Sequence, residues 1–193
     1  MNNFEQLRAT LRARLVCLDA SVGLDKILEI AKGCVERLDA HDFPLPTAQP
    51  YSRTILYASS EIEMMIARWG KDAHCAPHDH GKANSLIYIL SGQAQHRLYQ
   101  IKDGLLQMVH QEQKLTGECI RCAPFQVHSM GPQNTLLTLH IYAPSIEDMY
   151  VYHIQDRLTF RVRGSCGAWL PVENPNDIFE TFLDHQQRLE EGE

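Results

Sequence analysis

Ten histidines stand among 193 residues, and three of them, His74, His78 and His80, fall within seven positions. Imidazole is the commonest metal-ligating side chain and the one that titrates nearest neutrality, so this cluster is where chemistry is concentrated. Residues two apart in an extended segment point to one face, so His78 and His80 in the run H-D-H can offer both rings to a single point. A third histidine, His128, sits in CAPFQVHSMGPQN ahead of the apolar run LLTLHIYA. Three neutral imidazoles hold a divalent ion and leave coordination positions open for a substrate, as catalysis requires and a closed structural site does not. His74 is read as loop, and His96, His110, His153 and His185 as structural or surface residues. The other metal-like pattern, Cys119-x-x-Cys122, lacks a second ligand pair and a thioredoxin-like helix start, so it is read as ordinary strand or turn residues.

The elements that must position these side chains follow from periodicity. From about residue 45 to 165 the chain breaks into short runs rich in Ile, Val, Leu, Tyr and Thr: RTILYAS, IEMMIARW, SLIYILSG, AQHRLYQI, LLQMVHQ, LLTLHIYA, YVYHIQ and RLTFRV. Turn formers at KDG (102–104), TGE (116–118) and GPQN (131–134) separate them, which predicts antiparallel hairpins closed into a sandwich or barrel. Ahead of them, residues 3–16 and 22–38 are apolar at three- and four-residue steps and read as two amphipathic helices covering an open end of the barrel. Pro44, Pro46 and Pro50 then stop helix propagation. At the other end Asn176, followed by Ile178, Phe179, Phe182, Leu183 and Leu189, predicts a short capped C-terminal helix. The expected organisation is a helical segment over 1–44, a mainly β antiparallel barrel over 45–170 and an extension with a helix over 171–193.

Composition narrows the partners. Hydrophobic residues make up 44% and charged residues 22%, which fits a globular chain and excludes disordered and fibrous classes. The net charge is −6 and no Lys/Arg-rich run appears, so nucleic acid is not an expected partner. No window approaches the roughly 18 uninterrupted apolar residues of a membrane span, so no membrane partner and a cytoplasmic location are expected. The six cysteines are expected to be free thiols.

The segment from His78 to Gly92 resembles the first motif of the cupin superfamily, an H-x-H followed by an acidic residue and then a glycine, with Ser85 at the acidic position. Gly117, Pro124, His128 and Asn134 follow the second motif loosely, without its inner glycine. The resemblance implies a jelly-roll barrel, and the loss of the carboxylate leaves a three-histidine site. Two further segments are similar to the thiol dioxygenases, the cysteine dioxygenase family in particular: Tyr51-Ser-Arg53 ahead of the metal motif, and Thr138-Leu-His140-Ile-Tyr142-Ala-Pro144 after it. The likeness spans about residues 45–165.

It implies Fe(II) on His78, His80 and His128, with L-cysteine chelating through thiolate and amine and O2 as the second substrate. Arg53, with Tyr51, would bind the substrate carboxylate through charge-assisted hydrogen bonds. Tyr142 would donate a hydrogen bond near the metal, held by His140 and Thr138 on the same strand face. Ser85 replaces the thioether-forming cysteine of the vertebrate enzyme, and Met149 replaces a further cysteine, as in a bacterial-type site. The implied reaction adds both atoms of O2 to the cysteine sulfur to give cysteine sulfinate, in a monomer or weak homodimer. The alternatives are a 3-mercaptopropionate dioxygenase using Arg161 or Arg163, with Leu158 at the site-facing position, a metal-binding cupin sensor without turnover, and a zinc, nickel or manganese cupin isomerase.

Overall fold

A computed structural model describes residues 3–185 apart from Ala20 and Arg37. Helices α1 (Asn3–Leu15) and α2 (Leu24–Val35) precede the strands β1 (Tyr51–Ala58), β2 (Glu63–Trp69), β3 (Asn84–Lys102), β4 (Leu105–Leu115), β5 (Cys119–Cys122), β6 (His128–Ala143), β7 (Asp148–His153), β8 (Leu158–Arg163) and β9 (Ile178–Leu183). No helix among the described residues is long and apolar enough to cross a membrane.

Two strands organise everything else. The second half of β6 lies between β2 and the first half of β3, with β1 and β5 outside them. The first half of β6 pairs instead with the second half of β3, which carries β4 on its far side. Beyond β6, the backbone of His78 bridges both His128 and Val151 of β7, and β8 and β9 continue from there. Two antiparallel layers therefore share β3 and β6 as through-strands. This is the expected mainly β antiparallel jelly roll.

Alternation along the strands gives the first layer two buried faces. Met64, Ile66, Leu86, Leu137, Leu139 and Ile141 point outward and pack on Leu7, Leu11, Leu15, Ile27, Ala31 and Val35 of the two helices. The helices thus cover the outer face of a sheet rather than an open end of the barrel. Residues of the opposite parity, including Ala67, Trp69, Ile87, Ile89 and Ile120, fill the interior. Cys119 and Cys122 stand three apart on β5, so one packs outward and the other inward, and all six cysteines are free.

Three local expectations are corrected. GPQN is no turn: it lies inside β6, where Pro132 pairs with Ala94 and Gly131 with Gln95. Gly131 is there because the loop before the ligands packs on it, and a Cβ would meet the His74 ring at 2.5 Å. SLIYILSG and AQHRLYQI are one bent strand, β3, whose register against β6 shifts on either side of Ser91 and Gly92. Finally, residues 178–183 form strand β9 rather than a helix. The sequence IFETFL is rich in β-formers, and the backbone groups along the edge of β8 offer it a ladder that an isolated helix lacks. Asn174, not Asn176, caps the short turn before it. Leu189 lies outside the described residues.

Gly92 carries the bend of β3. Its φ is +93°, and a Cβ would stand 1.9 Å from the Thr135 carbonyl oxygen. Gly92→Ala is expected to lower the unfolding free energy by about 2–4 kcal/mol, read from urea denaturation midpoints at unchanged slope.

Candidate metal centre

Backbone pairing brings the first two ligands together. His78 N–H donates to the His128 carbonyl and His128 N–H donates to the His78 carbonyl, both at 2.9 Å, so the two residues face each other directly and share a side of the sheet. His78 makes isolated bridges to His128 and Val151, and His80 lies beyond any regular strand, just before a turn at Gly81. The intervening Asp79 is buried and points away from the rings. Its carboxylate accepts from the backbone N–H of Gly81 and of Tyr150, both at 3.0 Å, so it pins the turn and tethers the ligand segment to β7.

The nitrogens of His78, His80 and His128 gather within 4.8 Å of one another, all three residues being buried. His80 Nε2 and His128 Nε2 stand 3.3 Å apart. A metal bonded to two adjacent nitrogens at about 2.1 Å holds them about 3 Å apart, so the donor set fits a divalent ion with little movement. Burial keeps the rings neutral, as ligands must be. It depresses His78 to about 4 and His80 and His128 well below the ordinary imidazole value.

Hydrogen bonds set two of the tautomers. His78 Nδ1 lies 2.9 Å from the Ala76 carbonyl, which can only accept, so Nδ1 carries the proton and Nε2 the lone pair. For His128 the chain is longer. His96 Nδ1 donates to Glu112 at 3.1 Å, which leaves His96 Nε2 to accept from His128 Nδ1 at 3.1 Å, and the lone pair of His128 Nε2 faces the cluster. Burial pushes the Glu112 carboxyl up, but hydrogen bonds from Lys114 and His96 outweigh it and hold it below the ordinary range. His96 is therefore a support of the metal centre and not the unremarkable residue expected from the sequence.

A second polarised chain ends at the same place. Trp69 Nε1 can only donate, and it does so to Thr138 Oγ1 at 3.0 Å. Thr138 then gives its proton to His140 Nε2 at 2.8 Å in preference to the Ala67 carbonyl at 3.4 Å. His140 Nδ1–H donates to the Tyr142 hydroxyl at 3.0 Å, and the phenol proton is left free for the cluster. Tyr142 packs edge-on against His80, with ring centroids 5.0 Å apart. Burial depresses His140 to about 3 and raises Tyr142 well above the ordinary phenol value, so both stay neutral.

Of the residues expected to bind substrate, Arg53 is nearly buried on the inner face of β1. Its Nε donates to Met65 Sδ at 3.3 Å, one terminal nitrogen to the Ser165 carbonyl, and the other lies 3.4 Å from Glu63 Oε1. Tyr51 stacks on Trp69 at 4.5 Å between centroids, and its hydroxyl accepts from Ala168 N–H at 3.0 Å, bracing the segment after β8. Burial pushes its phenol up to about 12. Arg161 and Arg163 pair instead with Asp148, Glu180 and Asp177 and lie over Phe179. Leu158 pairs with His153 and Leu183, and Met149 packs with Val151 and Val162.

No protein-family model matches the sequence. Similar solved structures include an uncharacterized conserved protein with a double-stranded β-helix domain from Klebsiella pneumoniae (TM-score 0.46, 14% identity, 59% of this chain and 88% of that one). Others are an RmlC-like cupin from Shewanella frigidimarina (TM-score 0.42, 14% identity, 53% and 84%) and an oxalate oxidase (TM-score 0.45, 11% identity, 53% and 55%). The fold is defined by this chain's own strand pairing.

His96→Phe removes the acceptor that orients His128, and Co(II) affinity measured by calorimetric titration is expected to fall roughly 10–100-fold. Acid is expected to destabilise the metal-stripped protein. The unfolded chain takes up protons near the ordinary imidazole value while buried His78 and His140 resist until about 4 and 3. The unfolded state therefore binds more protons over that window. Lowering the pH from 7 to 5 is expected to cost roughly 2 kcal/mol for each of these two histidines, measured by denaturation at each pH.

Proposed function

We propose that the protein is a thiol dioxygenase that uses Fe(II) and O2 to convert L-cysteine to cysteine sulfinate. The observation that carries this reading is that a buried cluster of three histidines, with no carboxylate in the donor set, lies against the ring of a tyrosine whose hydroxyl is held by His140. When bound, a ferrous ion would supply the thiolate and dioxygen coordination and the redox chemistry.

The chain's own residues have three tasks. Arg53 is the guanidinium on the inner face, and its remaining N–H groups are suited to a substrate carboxylate. Tyr142 donates from a fixed direction to an oxygen gaining negative charge, and the Trp69–Thr138–His140 chain keeps that donor pointed. Met65, Ala83 and Ile55 form an apolar wall around Tyr142, and such low-dielectric surroundings strengthen both interactions. That Arg53 stands on the inner face that carries Tyr142, while Arg161 and Arg163 lie on β8 paired with Asp148, Glu180 and Asp177, supports Arg53 as the carboxylate ligand and cysteine over 3-mercaptopropionate.

Protein loaded anaerobically with Fe(II), then given cysteine and air, is expected to consume one O2 for each sulfinate formed. Tight cysteine binding with no oxygen uptake would instead indicate a sensor. Tyr142→Phe is expected to retain iron while kcat falls about a hundredfold. Arg53→Ala is expected to cost about 2–5 kcal/mol in kcat/KM for cysteine and to leave cysteamine, which has no carboxylate, almost unchanged.

A further inference from the structure

Arg53 does not stand alone in the interior. Glu63 opposes Tyr142 in the β2–β6 register, so its side chain leaves the sheet on the inner face that carries Thr138, His140 and Tyr142. Its side chain is 12% exposed and that of Arg53 16%, and the two meet at 3.4 Å beside the Met65 sulfur. Burying a carboxylate is costly, and here the cost is only partly offset: burial pushes Glu63 above the ordinary carboxylate range, and the nearby guanidinium pulls it back. A pocket built only to take an anion would leave its arginine uncompensated. Here a positive and a negative group stand side by side on the inner face.

We infer that Glu63 is a specificity-determining residue that accepts hydrogen bonds from the substrate's amino group, so that the Arg53–Glu63 pair selects a thiol bearing both an amino group and a carboxylate. The inference rests on the dioxygenase reading and deepens it by naming the residue that reads the substrate's amino group. A thiol amino acid matches both members of the pair, carboxylate to Arg53 and amino group to Glu63. A simple thiol acid such as 3-mercaptopropionate gains the arginine but meets the Glu63 carboxylate with its own like charge. Cysteamine satisfies Glu63 and leaves Arg53 without a new partner. No single charge on the substrate suffices, and the discrimination lies in binding rather than in the chemical step.

The test is anaerobic calorimetry on the Fe(II)-loaded protein with cysteine and with 3-mercaptopropionate, for the natural protein and for Glu63→Gln, whose melting temperature is measured alongside. The natural protein is expected to bind cysteine at least tenfold more tightly. In Glu63→Gln that preference is expected to shrink at least tenfold, with cysteine weakened and 3-mercaptopropionate unchanged or tightened. Should the preference derive only from a bond between the amine and the metal, Glu63→Gln would retain it and the inference fails. It also fails if both thiols weaken equally, the result of a Glu63 that merely props Arg53. If the variant does not fold, the natural protein still decides: equal affinity for the two thiols overturns the inference. Selective binding lost in Glu63→Gln, with no oxygen uptake once air is admitted, would leave Glu63 in its role and remove the dioxygenase reading.

Discussion

The reciprocal pair of backbone hydrogen bonds between His78 and His128 is the constraint on which the rest of the molecule turns. It makes the distance between two ligands a property of the β-ladder and not of flexible side chains. The same three-residue segment donates and accepts on its other side, where Asp79 N–H reaches the Tyr150 carbonyl and Tyr152 N–H the Pro77 carbonyl. Without that stitch, β7, β8 and β9 would have no ladder connecting them to β6. Site geometry and sheet continuity are therefore maintained by one set of bonds.

Around that ladder the side chains are buried, and burial dictates their chemistry. Desolvation holds every histidine of the cluster neutral, so direction is supplied by dipoles. Two chains run inward, one from Glu112 through His96 and one from Trp69 through Thr138 and His140. Each begins at a group with a single possible role, a carboxylate that accepts or an indole that donates, and that role propagates along the chain. The first delivers a lone pair to the cluster and the second a proton. The Trp69–Thr138–His140 chain is neutral and paired at each step, which makes it stable in a low dielectric, and it needs no reorganisation when charge develops nearby.

The charged groups sit on the opposite rim of this polar wall. Arg53 and Glu63 compensate one another on strands β1 and β2, against the first-layer face whose other side is held by the two helices. That layer is apolar on one side and chemically furnished on the other, because alternate residues of each strand are committed to different neighbours. The helices contribute indirectly: they bury the outward residues of β2 and β6 and so leave the inward ones, Glu63, Met65, Thr138, His140 and Tyr142, in a fixed register.

Local pattern alone was enough for the two helices, most of the strands, the antiparallel class and the pairing of His78 with His80, because these depend on periodicities and spacings within short windows, whereas His128, 50 positions on from His78, was reached through its likeness to a family motif and is brought to them by a long-range ladder. The Thr138, His140, Tyr142 face was legible for the same reason. The residues that orient the site were not. Counting back from the turn at 102–104 in an unbroken hairpin sets His96 opposite Gln111, but a bulge at Leu98 and Tyr99 moves it to Glu112. Trp69 and Glu63 reach the site only through the pairing of β2 with β6, strands some 70 positions apart, and no local signal encodes that register. The C-terminal helix failed for a related reason: a segment whose apolar residues suit a helical stripe took the free edge of β8, and an edge exists only once the sheet has formed. The candidate histidines were thus legible in the chain, while their convergence and the partners that aim them were decided by long-range hydrogen bonding, which a bulge or an open edge can redirect by a single residue.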